Sequence, residues 1–305
     1  MGLFNNYQYG SGIPKYTQKK KGLALFFDLF FRKFWSITGL NLLFSIFCLP
    51  VFVGFLLFGY MNNTELLLGL LIVLGLIFAV TIGPAIAGMT KVMRLFLIER
   101  HSFIARDFFR GFKENFKKAS IIGIIDIVTA LSAYASYNVY PYCAIKYEND
   151  LFYIPMVFAF SVVLVIFVMN YYIFLMMTAT DLSLKNLIKN SFALAFVSFK
   201  SNILTTIFVF VFAFLMFVIL IYYPPLFLIL IPAFPTALVW FIVCFNSYPV
   251  IQKYVINPYY ENIGENNPEL SSSVDAVDEE TIFEDMGGKE KPIEKRKKNK
   301  GKRIS

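Results

Sequence analysis

Residues 201–252 contain no Lys, Arg, Asp, Glu or His, and the run turns on itself at Tyr222-Tyr223-Pro224-Pro225. A membrane span takes about 20 consecutive apolar residues. The stretch therefore predicts two helices and a tight turn, a transmembrane hairpin. Lipid offers no partner to a backbone N–H or C=O, so the polar groups of such a chain have to be satisfied internally. The composition agrees with a lipid solvent. The chain is 58% hydrophobic and 16% charged, against about 45–50% and 25% for soluble domains.

Six uncharged windows predict helices at 36–60, 66–89, 119–142, 151–180, 201–222 and 226–249. The expected fold class is all-α: a polytopic membrane protein with six transmembrane helices as three hairpins. Positive charge orients them. Of the 28 Lys and Arg residues all but Lys146 fall on one side, in the amino-terminal segment, the second-to-third and fourth-to-fifth loops and the tail. Both termini are thus expected in the cytoplasm, with only short outer loops opposite. The domain reading is 1–35 as a cytoplasmic segment with a first interfacial helix, 36–250 as the membrane domain, and 251–305 as a charged tail. Within that tail an acidic block (Asp275 to Asp285) precedes a basic run (Lys289 to Arg303). This composition predicts a disordered, solubilising segment, whose basic end and the basic loops suit anionic lipid better than nucleic acid.

The apolar run from Ser36 to Tyr60 is too long for a signal peptide and ends in no small-residue cleavage site, so no cleavable leader is expected. Asn6 stands where a myristoylation signal needs Ser or Thr. Cys48, Cys143 and Cys244 predict no disulfide framework and read as small hydrophobes.

Each odd-numbered span is preceded by a phenylalanine-rich segment. Aligned without gaps, Phe27, Phe109 and Phe192 coincide, as do Phe34, Phe116 and Phe199. Seven residues make two helical turns, so each pair shares a face. The pattern predicts amphipathic cytoplasmic elbow helices lying in the headgroup plane. It also predicts a threefold repeat of elbow plus hairpin with a period of about 82 residues, against the competing explanation of chance in a chain so rich in Phe.

Asp126 is the one ionisable residue well inside a predicted span, at a depth of about 10 Å. It reads either as an ion or proton site or as a carboxyl hydrated near the interface. Asn41, Asn170 and Thr81 also lie in spans, where cross-helix bonding is the simpler role. Gly83-Pro84-Ala85-Ile86-Ala87-Gly88-Met89 closes the second span with a small-residue pair, Gly83 and Ala87, beside a helix-breaking proline, and Gly88 falls within the same motif. This predicts close packing and a kink. Pro232 and Pro235 predict a similar break in the sixth span. His101 is the sole histidine and falls in a cytoplasmic loop, so neither a zinc-binding HExxH helix nor a Ser-His-Asp triad is expected. Phosphate-binding and GxSxG signatures are missing too. No catalytic residue, metal site or cofactor is expected.

The opening Met1-Gly2-Leu3-Phe4-Asn5-Asn6-Tyr7 with Gly10, Gly12 and Pro14, the Arg32-Lys33-Phe34-Trp35 segment, Leu49-Pro50, the Gly83 to Met89 motif and the stretch from Arg94 to Phe116 resemble the YesL family. These are bacterial integral membrane proteins of unknown function. The resemblance is specific over residues 1–120 and rests on hydropathy alone beyond them; the charged tail is not part of it. It implies a multi-pass protein of the bacterial plasma membrane. It also implies, by association only, a non-enzymatic accessory role beside ABC permease subunits in carbohydrate uptake. The residues leave two other classes open: a small secondary transporter using Asp126 near Pro84 and Asn170, and a lipid-organising scaffold.

Overall fold

The computed structural model describes residues 22–61, 63–265, 267 and 269. The amino-terminal motif before Gly22 and the acidic and basic blocks of the tail lie outside the described residues. The chain forms two units, Met1–Pro258 and Tyr259–Ser305.

Among the described residues the regular structure of the first unit is all helical. Its helices are α1 (Leu23–Tyr60), α2 (Thr64–Leu97), α3 (Ile104–Glu114), α4 (Phe116–Lys146), α5 (Tyr153–Ala179), α6 (Leu184–Val197), α7 (Phe199–Tyr222), α8 (Pro224–Ala233) and α9 (Pro235–Ile251). A single π-helical turn, Gln252–Ile256, leads from α9 to α10 (Asn257–Ile263).

Six segments, α1, α2, α4, Asp150–Ala179, α7 and Pro235–Ile263, are long and apolar enough to cross a membrane. The fold class is therefore as expected: an all-α, multi-pass membrane protein. The second unit, taken by itself, holds the end of α10, which Gly264 closes in a left-handed conformation at φ 71°. There the Gly264 and Glu265 amides donate to the Glu261 and Tyr260 carbonyls, as glycine does at many helix ends. Regular structure thus runs past residue 251, where the tail was expected to begin.

The elbows differ from expectation in one copy. Those before the third and fifth spans are separate helices, α3 and α6. The first is no elbow at all, because α1 runs unbroken for 38 residues. The reason lies at one register position. Asn115 and Ser198 interrupt the second and third copies, at φ −105° and −104°, and the aligned residue in the first copy is Lys33. Asn and Ser offer the backbone competing hydrogen bonds, whereas Lys is a good helix former; Asn115 Nδ2 indeed donates to the Gly111 carbonyl at 3.1 Å. The start of α1 packs inward instead, with Phe26 at 5.4 Å from Phe241 and 5.3 Å from Phe245 of α9.

Boundaries of the spans also moved. The motif from Gly83 to Met89 lies inside α2, which continues to Leu97. The sixth span is split into α8 and α9 at Phe234, between the two prolines that predicted a break.

Burial is concentrated at the end of the bundle that carries α3 and α6. Ile37, Leu40, Val92, Phe96, Leu175 and Phe241 are all fully buried there. Towards the far end of each hairpin the large side chains turn outward: Phe55, Phe58, Ile72, Phe158 and Phe214 are exposed. Apolar outward faces of this extent fit acyl chains as solvent. α2 is the central helix, in contact with α1, α3, α4, α5 and α9.

Candidate functional site

Helix α2 meets its neighbours backbone to backbone. A Cβ added at Gly83 would lie 1.9 Å from the Ala119 carbonyl oxygen of α4, and one at Gly123 would lie 2.9 Å from the Gly83 nitrogen. Further along α2, a Cβ at Gly88 would meet the Phe108 carbonyl at 2.7 Å, and one at Gly111 the Gly88 Cα at 3.1 Å. Small residues permit such approach and the dispersion contacts that replace the hydrophobic effect in lipid. Ala87, the expected partner of Gly83, is fully buried, but the close crossings belong to Gly83 and Gly88. Lys91 binds Glu114 across the α2–α3 contact, and Arg110 donates to the same carboxylate at 2.8 Å. These two cations, Lys91 foremost, hold the Glu114 carboxyl below the ordinary glutamate range.

At two prolines of this bundle, Pro84 and Pro235, a side chain from another helix takes up the carbonyl that proline leaves without a donor. Pro84 has no N–H for the Val80 carbonyl; Ser120 Oγ of α4 donates to that oxygen at 2.8 Å. Pro235 likewise leaves the Ile231 carbonyl without its donor. Asn41 Nδ2 of α1 donates to it at 2.9 Å, while Asn41 Oδ1 accepts from the Ala237 N–H at 2.8 Å. Asn41 is fully buried and thus bridges both sides of the α8–α9 break. Thr81 bonds within its own helix, to the Ile77 carbonyl.

Asp126 and Asn170 come together across α4 and α5, with Asn170 Nδ2 donating to Asp126 Oδ1 at 2.7 Å. They lie on the wall of a cavity of about 300 Å³, to which Ile86 of α2, Phe174 of α5 and Trp240 of α9 also contribute. Among the described residues no Lys, Arg or His lines it. Asn170 Oδ1 is buried and has no hydrogen-bond partner. A second cavity, of about 180 Å³, lies between α5, α6 and α7 and is lined mainly by aliphatic side chains and Phe196 and Phe199.

Other polar groups, which sequence reasoning missed, bond across the helices. Trp240 Nε1 donates to Thr90 Oγ1 at 2.7 Å. Tyr171 shares a hydrogen bond with Thr206, and Tyr172 donates to Asn202 at 2.6 Å. Arg94 of α2 reaches the Thr178 carbonyl at 2.7 Å and the Tyr248 hydroxyl at 3.1 Å. The polar residues Asn202, Thr205 and Thr206 inside an uncharged run were the available signal. Among the described residues no cluster of His, Cys, Asp or Glu could hold a metal ion.

The elbow phenylalanines divide by face. Phe108 is buried against α2, whereas Phe109, Phe116, Phe192 and Phe199 are exposed, as is Phe27 at the start of α1; Phe34 is half-buried. Pro232 lies within α8 and Pro235 opens α9.

Fold and burial thus define a multi-pass membrane protein whose helices enclose a largely apolar cavity with the Asp126–Asn170 pair on its wall. Residues 37–137 are similar to a family described as "Protein of unknown function, DUF624", a stretch that holds Asn41, the Gly83 motif and Asp126. No curated protein and no solved structure matches the chain.

Proposed function

We propose that the protein is a non-enzymatic accessory component of carbohydrate ABC-type uptake, a YesL-type protein beside the permease subunits of a bacterial plasma membrane. In this reading both termini are cytoplasmic. The observation that carries it is the bare aromatic face of the elbows. Phe109 is 42% exposed and Phe192 51%, each on a helix whose other face is held by the bundle. Such faces suit a groove on a partner, and the neighbouring Arg106, Arg110 and Lys113 suit anionic headgroups.

Purification of the tagged full-length chain from its native membrane in mild detergent tests this. Permease subunits are expected to come with it in fixed stoichiometry. The double substitution Phe109→Ala with Phe192→Ala is expected to lower that recovery several-fold while the melting temperature holds within a few degrees, as for surface changes of about 0.5 kcal/mol. Recovery of the chain alone would remove the accessory role.

A second reading, a small secondary transporter, is favoured by one observation: the intramembrane carboxylate of Asp126 faces a cavity between four helices. Intramembrane carboxylates of this kind commonly serve proton or ion pathways. Asp126→Asn is then expected to abolish coupled uptake in liposomes. Normal coupled uptake by the variant would exclude Asp126 from the mechanism.

A further inference from the structure

We infer that the Asp126–Asn170 cavity is a binding site for a small organic ammonium ion. Its polar groups decide what can bind there. Thr129 Oγ1 donates to the Ile125 carbonyl, Trp240 Nε1 to Thr90 and Asn170 Nδ2 to Asp126, while the Tyr171 and Thr206 hydroxyls share one hydrogen bond. What the cavity leaves over is acceptors, the second carboxylate oxygen of Asp126 and the unpartnered Oδ1 of Asn170. With Asn170 Nδ2 turned towards Asp126, its Oδ1 is the oxygen left spare.

An occupant must therefore bring hydrogen-bond donors, and a positive charge to match a carboxylate with no basic residue beside it. A Ca2+ or Mg2+ ion needs about six oxygen ligands, and the lining holds too few; among the described residues no cluster of His, Cys, Asp or Glu suits a transition metal. A sugar would need many polar partners, and most of the wall is Ile86, Val163, Ile166, Phe167 and Phe174. An ammonium group on an apolar body meets both demands: its N–H groups reach the two acceptors, and aromatic walls favour a cation. A volume of about 300 Å³ is at the small end for ligand pockets. The site shares its residues with the transporter reading but not its outcome, since binding without uptake would remove the transporter and leave the site.

The test uses the full chain in detergent with Trp35→Phe, which removes the other tryptophan, an exposed one, so that emission reports Trp240. Benzylammonium is expected to change that emission saturably, and the neutral isostere benzyl alcohol is not. Asp126→Asn is expected to weaken benzylammonium binding by roughly 30-fold or more, the loss typical of a truncated buried charge pair. Should that variant fail to fold, Ala130→Leu, which fills the cavity and keeps the carboxylate, is expected to abolish binding. Absence of saturable binding, equal binding of the alcohol, or binding unchanged by either variant would overturn the assignment.

Discussion

Gly83→Ala is expected to destabilise the protein by about 3 kcal/mol or more, although it adds a single methyl group. Overpacking ordinarily costs about 1–3 kcal/mol because side chains can shift. Here the obstacle is the Ala119 carbonyl oxygen of α4 at 1.9 Å, a backbone atom inside a helix, so two helices must separate. Their separation would also lengthen the Ser120 bond to the Val80 carbonyl. Gly75→Ala is the control. It lies in the same helix with nothing within 4 Å of its added Cβ, and helix propensity alone makes it neutral or stabilising by up to about 1 kcal/mol. Unfolding of both variants by a graded denaturing detergent checks the contrast. Equal stability of the two would mean that α2 and α4 do not cross at Gly83.

Asn41→Leu is expected to cost about 2–5 kcal/mol, because it strands two buried backbone groups at about 1–3 kcal/mol each. The groups are the Ile231 carbonyl and the Ala237 N–H on either side of the α8–α9 break. Pro235→Ala returns an N–H to the position facing the Ile231 carbonyl. In that background the cost of Asn41→Leu is expected to fall by about 1 kcal/mol, a coupling that a double-mutant cycle reads directly. Asn138→Ala, at an exposed position that bonds only its own helix at Tyr134, is expected to change stability by less than about 0.5 kcal/mol. Independence of the Asn41 and Pro235 effects would remove the bridging role.

The spans were legible because charge is costly in lipid, and windows without it mark the membrane whatever the packing. Their ends were not. A helix leaves the lipid without stopping, so α1 begins at Leu23 and α2 runs to Leu97 although charged residues flank both windows. The fate of the elbows turned on one residue in each copy, Lys33 against Asn115 and Ser198, a local preference that the spacing of phenylalanines does not carry. With no separate first elbow, Phe27 is exposed on α1 rather than on a helix of its own. Asp126 stood out because it was alone. The sequence grouped it with Asn170, 44 residues away, and with Asn41; the fold pairs it with Asn170, sets Asn41 at the α8–α9 break instead, and alone brings in the Trp240 wall. The repair of Pro84 was within reach of reasoning, since a proline inside lipid demands a donor for the Val80 carbonyl. That the donor is Ser120 depended on the Gly83–Gly123 crossing.

An accessory role requires α3 and α6 on the cytoplasmic side of the membrane, where their docking faces and the basic loop would meet a partner. Cysteine labelling on intact cells measures this most directly. Cys48, Cys143 and Cys244 would be replaced, and single cysteines placed at Lys146, at the far end of α4, and at Lys185 on α6, both exposed. A membrane-impermeant maleimide is expected to label Lys146→Cys on intact cells and Lys185→Cys only after permeabilisation. Labelling of Lys185→Cys from outside, with Lys146→Cys protected, would invert the protein in the membrane and contradict the account.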